Sequence, residues 1–193
     1  MKGVSSHYFW DACVFIRYLK GDRSAELFPD ISQHLKDAKA GKTAIYYSTL
    51  SIVEVRPSFL GGAGYGDFDA FLADFEGAFF GIDPTPDIMR WSAIVHDISY
   101  PCPTGGKDGV LTTPDAIQLM SAVYLREAGG VPDIAFHTFD NGKGTTAESE
   151  GKKTVSLLEF EKWVVGIPKN SQTKRICDLP RSKPVHPLPD MFA

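Results

Sequence analysis

The chain has 193 residues, 43% of them hydrophobic, which suits one globular domain with a sizeable core. A formal charge of −4 excludes polyanion binding by bulk electrostatics of the whole chain. No apolar run reaches membrane-spanning length and the N-terminus lacks a signal-peptide core, so a soluble, cytoplasmic protein with no membrane partner is expected.

The charge is unevenly spread. From Gly166 onward five basic residues face two acids, a net of +3, which leaves −7 on residues 1–165. Cys13, Cys102 and Cys177 are odd in number and show no CxxC spacing, so reduced thiols are expected rather than a disulfide framework or a zinc site.

His7 to Trp10 reads as an aromatic strand that runs directly into Asp11 and then into a short apolar helix, about Ala12 to Leu19, broken by Gly21-Asp22. Leu27, Phe28, Ile31, Leu35 and Ala38 predict a second helix, stopped at Gly41. Thr43 to Tyr47 is a short buried strand. Ser48 or Thr49 then caps a helix, STLSIVEV, that carries Glu54 and ends before Pro57. The glycine-rich stretch Gly61 to Gly66 lacks the residues and the strand context of a phosphate loop. Asp67 to Phe80 predicts an amphipathic helix with an aromatic stripe, with a short strand around Phe79 to Ile82.

Pro84 to Asp87 opens a helix with Ile88, Trp91, Ile94, Val95 and Ile98, and residues 101–109 form a loop. Thr113 as N-cap and Pro114 in the first turn then start a long helix carrying Asp115, ended by Gly129-Gly130. Asp133 to Phe139 is a strand followed at once by Asp140, and Thr154 to Leu157 is a last strand candidate before a short helix, Glu159 to Val165. The alternation argues a parallel sheet wrapped by helices. The tail from Gly166, with five prolines, is expected to be extended and to lack a core of its own.

Asp11 and Asp140 each follow a strand, so a parallel sheet brings both to its carboxyl edge, where ligands bind in such folds. Asp115 opens a helix, and Glu54 lies on the helix leaving the second strand; both can face the same cleft. Four converging carboxylates repel one another unless a cation compensates. An oxygen-only donor set suits Mg²⁺ or Mn²⁺, ions that activate water and stabilise charge on a phosphoryl group. Metal-assisted phosphodiester hydrolysis follows as the expected chemistry.

Taken singly, each acid has a plain structural reading: Asp115 as a helix-dipole acid, Asp140 as a turn residue before Asn-Gly, Glu54 on a solvated helix face. Asp11 is the hardest to explain that way. His7, His96 and His137 read as satisfied structural histidines, and Trp10, Trp91 and Trp163 as core.

Four blocks in order, the strand ending at Asp11, Ser48 to Val55 with Glu54, Pro114 to Ala122 with Asp115, and Thr138-Phe139-Asp140, resemble the PIN domains and among them the VapC-type toxin ribonucleases. The resemblance covers about His7 to Val165. It implies an α/β/α sandwich with a four- or five-stranded parallel sheet and a PIN-like nuclease domain over residues 1–165, to which the sequence appends the basic, Pro-rich tail over 166–193. It implies Asp11, Glu54, Asp115 and Asp140 as catalytic and metal-binding acids, with Thr138 orienting a carboxylate or water. It further implies single-stranded RNA as substrate, Mg²⁺ or Mn²⁺ as cofactor, an antitoxin protein as partner, and a homodimer. Asn141 and Lys143 follow the last acid as supporting residues, with Lys143, Lys152, Lys153 and the tail as sources of phosphate contacts. Where the family usually has Ser or Asn two residues after the first acid, this chain has Cys13. Two readings compete: a catalytically weak PIN-like scaffold that binds RNA or a protein, and a phosphatase of the haloacid-dehalogenase type, which lacks support because Asp11-Ala12-Cys13 offers no second acid.

Overall fold

The structure, a computed structural model, describes residues 6–143, 153–168 and 170–187. Lys152, expected to contact phosphate, lies outside the described residues.

Five parallel strands form the main sheet in the order β3-β2-β1-β5-β7. They are β1 (Ser6–Trp10), β2 (Thr43–Ser48), β3 (Phe79–Ile82), β5 (Ala135–His137) and β7 (Arg181–Ser182). A two-stranded parallel sheet, β4 (Gly109–Val110) with β6 (Lys153–Thr154), stands apart. The helices are α1 (Ala12–Leu19), α2 (Phe28–Lys39), α3 (Ser51–Glu54), α4 (Phe68–Ala73), α5 (Pro86–His96), α6 (Thr113–Glu127), α7 (Phe160–Trp163) and α8 (Ser171–Asp178). Together they make a three-layer α/β/α sandwich.

Strand pleating builds the two cores. Phe9 and Phe136 point to one face and pack with Ile88, Val95, Leu119 and Met120 of α5 and α6. Trp10 points to the other face and joins Phe15, Leu19, Ile31, Leu35 and the phenylalanines Phe68, Phe71 and Phe75. All of these side chains are buried, so each layer of helices is tied to the sheet by apolar area.

The chain moves outward from β1 through β2 to β3, then returns to place β5 on the other side of β1. The reversal of winding direction therefore lies between β1 and β5, whose register pairs Trp10 with His137. In open parallel sheets the crevice at the carboxyl end of such a reversal is the usual ligand position. Asp11 leaves β1 there, and Thr138 to Asp140 leave β5 there.

Several expectations need correction. The tail is not an extended appendage: α8 buries Thr173 and Ile176, Leu179 joins the core, and β7 pairs with β5 as the edge of the main sheet. Arg181 anchors it by donating to the carbonyls of Leu157, Ile176 and Leu179. The strand expected over Thr154 to Leu157 is reduced to β6, Lys153–Thr154, which belongs to the small sheet, and Val155 to Leu157 are buried without being in a strand. The helix expected over Asp67 to Phe80 closes at Ala73 because the chain must turn, through Gly77 at φ +80°, to enter β3. The helix expected from Ser48 is the single turn α3, because Ser48 still pairs with Ile82 in the sheet. The glycine-rich stretch serves packing: Gly62 lies so close to Lys20 and Gly21 that a Cβ at Gly62 would fall 1.9 Å from the Lys20 carbonyl oxygen.

Candidate functional site

Asp11 sits where β1 becomes α1, with its amide bonded to the His137 carbonyl at 3.0 Å. It occupies the N-cap position, yet its carboxylate makes no regular capping bond to α1. Instead Oδ2 accepts from the Thr138 hydroxyl at 2.7 Å and from the Cys13 thiol at 2.9 Å. Burial raises its pKa above the usual carboxylate range, while the bonds from Cys13 and Thr138 and the nearby amides of Ala12 and Cys13 pull the other way. Cys13, two residues after Asp11, is thus a thiol donor to its carboxylate. Burial and the Asp11 charge hold that thiol protonated, well above its ordinary pKa.

Thr138 ties the two strand ends together. Its hydroxyl donates to Asp11 and accepts the Asp140 amide at 3.0 Å. Asp140 in turn accepts the Gly142 amide on Oδ1 at 2.6 Å, and burial, with the Asp11 charge behind it, pushes its pKa up to about 6 against that bond.

Asp115 lies in the first turn of α6. The N-cap is Thr112 rather than the expected Thr113: its hydroxyl accepts from the Asp115 amide and donates to Asp115 Oδ2 at 2.6 Å. Burial raises the Asp115 pKa well above normal, and the charges of Asp11, Asp140 and Glu54 all add to the effect. Glu54 closes the set from the end of α3. Burial and the Asp11 charge push it up to about 7, opposed by Gln118, whose Nε2 donates to Oε2 at 2.8 Å and to the Ser51 hydroxyl at 3.1 Å.

The four acids therefore meet electrostatically at one edge, with Asp115 coupled to the other three. Asn141 and Lys143 do not join them. Asn141 Oδ1 accepts the Lys143 amide, and both residues line a neighbouring cleft. Sequence reasoning missed Gln118 and Thr112. Gln118 is three residues beyond Asp115 and so on the same helix face, a spacing that could have flagged it. Of the histidines expected to be satisfied, His7 reaches Asp133 and His96 the Leu111 carbonyl, whereas His137 is stacked on Tyr8 with its Nδ1 unpaired among the described residues.

The four side chains offer oxygen donors only, the donor type that hard divalent cations take, and the Asp11 charge raises the pKa of the other three. Among the described residues no three His, Cys, Asp or Glu side chains form a ready-made metal cluster. Each acid is held by its own hydrogen-bond donors: Asp11 by Thr138 and Cys13, Glu54 by Gln118, Asp115 by Thr112 and Asp140 by the Gly142 amide. In each case those bonds fall on one oxygen of the acid.

No protein-family model matches the chain, and no curated protein matches it.

Proposed function

We propose that this protein is a metal-dependent endoribonuclease of PIN type that hydrolyses phosphodiester bonds in single-stranded RNA. The observation that carries the reading is that Asp11, Glu54, Asp115 and Asp140, from four separate segments, come near one another at the winding reversal of a parallel sheet, with the Asp11 charge raising the pKa of the other three. Such a concentration of buried carboxyls destabilises a metal-free fold and is kept where chemistry requires it.

Asp11, Glu54, Asp115 and Asp140 would hold Mg²⁺ or Mn²⁺, which supplies water activation and charge stabilisation for in-line attack on the phosphodiester. The chain's own residues prepare the site. Thr138 and Cys13 fix the orientation of Asp11, Thr112 fixes Asp115, and Gln118 fixes Glu54. Each of these side-chain bonds falls on a single carboxylate oxygen. A homodimer, and an antitoxin protein that inhibits the enzyme, belong to the same proposal.

The test is incubation of a mixed single-stranded RNA pool with Mn²⁺, comparing wild type, Asp115→Asn and added EDTA. Cleavage that requires both the metal and Asp115, with 5′-phosphate ends, is expected. Metal-dependent cleavage that survives Asp115→Asn refutes the assignment. A non-cleaving scaffold that binds RNA or a protein is the second reading, favoured by the lack of a ready-made cluster among the described residues; no heat of Mn²⁺ binding by calorimetry would select it.

A further inference from the structure

The residues that follow Asp140 lead out of the acidic centre into a cleft of about 630 Å³. Three lysines line it, Lys143, Lys153 and Lys162, against one glutamate, Glu159, on a chain whose overall charge is −4. All three are exposed. Lys162 pairs with Glu159, and Lys153 donates to the Cys102 thiol, so Lys143 and Lys153 pair with no carboxylate among the described residues. Trp163 and Pro103 give the cleft an apolar wall. Trp163 is itself a core residue, so the cleft offers charge rather than a stacking face, and lysines of this kind neutralise the phosphates of a nucleic-acid strand.

The cleft is rigidly joined to the acids. Gly142, at φ +70°, lies against the end of β6 so tightly that a Cβ there would come within 2.8 Å of the Ser156 amide nitrogen. The Asp140 carbonyl accepts the Leu158 amide at 3.1 Å, and the Ser156 hydroxyl receives the Glu159 amide at 3.1 Å. A second, smaller cleft reaches the centre from α1, where Cys13, Arg17, Lys20 and Phe139, with Asp22 as its one acid, line about 320 Å³. Basic clefts thus adjoin the acids both through Cys13, which is bonded to Asp11, and through Asn141, which follows Asp140. The acids repel the phosphates that flank a bound phosphodiester, and these clefts supply the opposite charge beside them.

We propose that the cleft of Lys143, Lys153 and Lys162 seats the phosphates of single-stranded RNA immediately beside the scissile position. This rests on the phosphodiesterase reading for what the neighbouring acids do, but binding can be measured without cleavage. A short fluorescein-labelled single-stranded RNA of mixed sequence is titrated with the full chain in EDTA over a range of salt concentrations. Lys153→Glu with Lys162→Glu is expected to weaken binding by about tenfold or more and to lower the salt slope by about one to two. Lys36→Glu with Lys39→Glu, in a cleft of similar size that adjoins none of the four acids, is expected to leave both unchanged. The corresponding glutamine pair, with unfolding midpoints compared, separates loss of phosphate contacts from loss of fold. Equal affinity for wild type and the Lys153/Lys162 variants overturns the inference, as does equally effective competition by polyglutamate. If those variants lose binding while no protein cleaves RNA in Mn²⁺, the cleft assignment stands and the nuclease reading falls. If cleavage depends on Asp115 and the metal but KM and affinity ignore the lysines, the reverse holds.

Discussion

Thr138 shows how one side chain can set the geometry of a site. It is fully buried, and its hydroxyl is shared between the Asp11 carboxylate and the Asp140 amide. Replacing it by valine keeps the shape and leaves a buried carboxylate oxygen and a buried amide each short of a partner. An unsatisfied buried group costs about 1–3 kcal/mol. Thr138→Val should therefore lower the denaturant midpoint, push the Asp11 pKa further up and reduce cleavage by about tenfold or more, whereas Thr138→Ser should restore most of each. If valine and serine behave alike in stability and rate, the hydroxyl has no positioning role. Cys13 belongs to the same argument. Its thiol occupies the place of a hydroxyl and still donates to Asp11, a replacement that residue type alone makes look like a loss.

At the scale of elements, what could be read from the chain was the set of strands that end in an acid. β1 and β5 announce themselves because apolar, β-rich runs stop abruptly at Asp11 and near Asp140, and α6 because Thr-Pro-Asp is a strong start signal. The four acids follow from those boundaries. What was not legible is the edge of the sheet. β7 is two residues long, Arg181 and Ser182, between prolines, and it has no alternation to detect. Its pairing with β5 is set by tertiary packing of α8. The local signals of α8 are weak, Asn170 as an N-cap and Thr173 with Ile176 on one face, in a stretch with five prolines. The corrected reading has a consequence for stability. Ile176 is fully buried in the core beneath α5 and α6, so Ile176→Ala should cost about 2–4 kcal/mol, and removal of residues 167–193 should leave a chain that fails to fold cooperatively. Urea unfolding followed by circular dichroism distinguishes this from a dispensable tail, for which both changes would be silent.

For the whole molecule, stability and function pull against each other through charge. Glu54 at about 7 and Asp140 at about 6 titrate above their ordinary range, with Asp11 and Asp115 raised as well. A raised carboxyl means that the folded state binds protons the unfolded chain has released. The destabilisation is thus fully present above the folded pKa and is relieved as pH falls through it. Buried His34 and His137 act in the other direction. Burial holds them down to about 4 and about 3, so below about 6.5 the unfolded chain takes up their protons first and each withdraws about 1.4 kcal/mol of stability per pH unit. Between about pH 8 and 7, where the unfolded histidines are still mostly neutral, the acids dominate, and metal-free protein should become more stable as pH falls. A cation bound by the same acids would stabilise by RT ln(1 + [L]/Kd), strongly at pH 8 and hardly at all near pH 5, where the acids are protonated. Asp115→Asn removes the charge that couples to all three others while its amide oxygen can still accept from Thr112. That variant should melt about 2–4 °C above metal-free wild type at pH 8 and should lose most of the Mn²⁺-induced rise. Thermal midpoints at pH 8 and pH 5, with Mn²⁺ and with EDTA, decide the matter. A Mn²⁺ shift that is the same at both pH values, or that persists in Asp115→Asn, would place the ion elsewhere and leave the four carboxylates without a shared purpose.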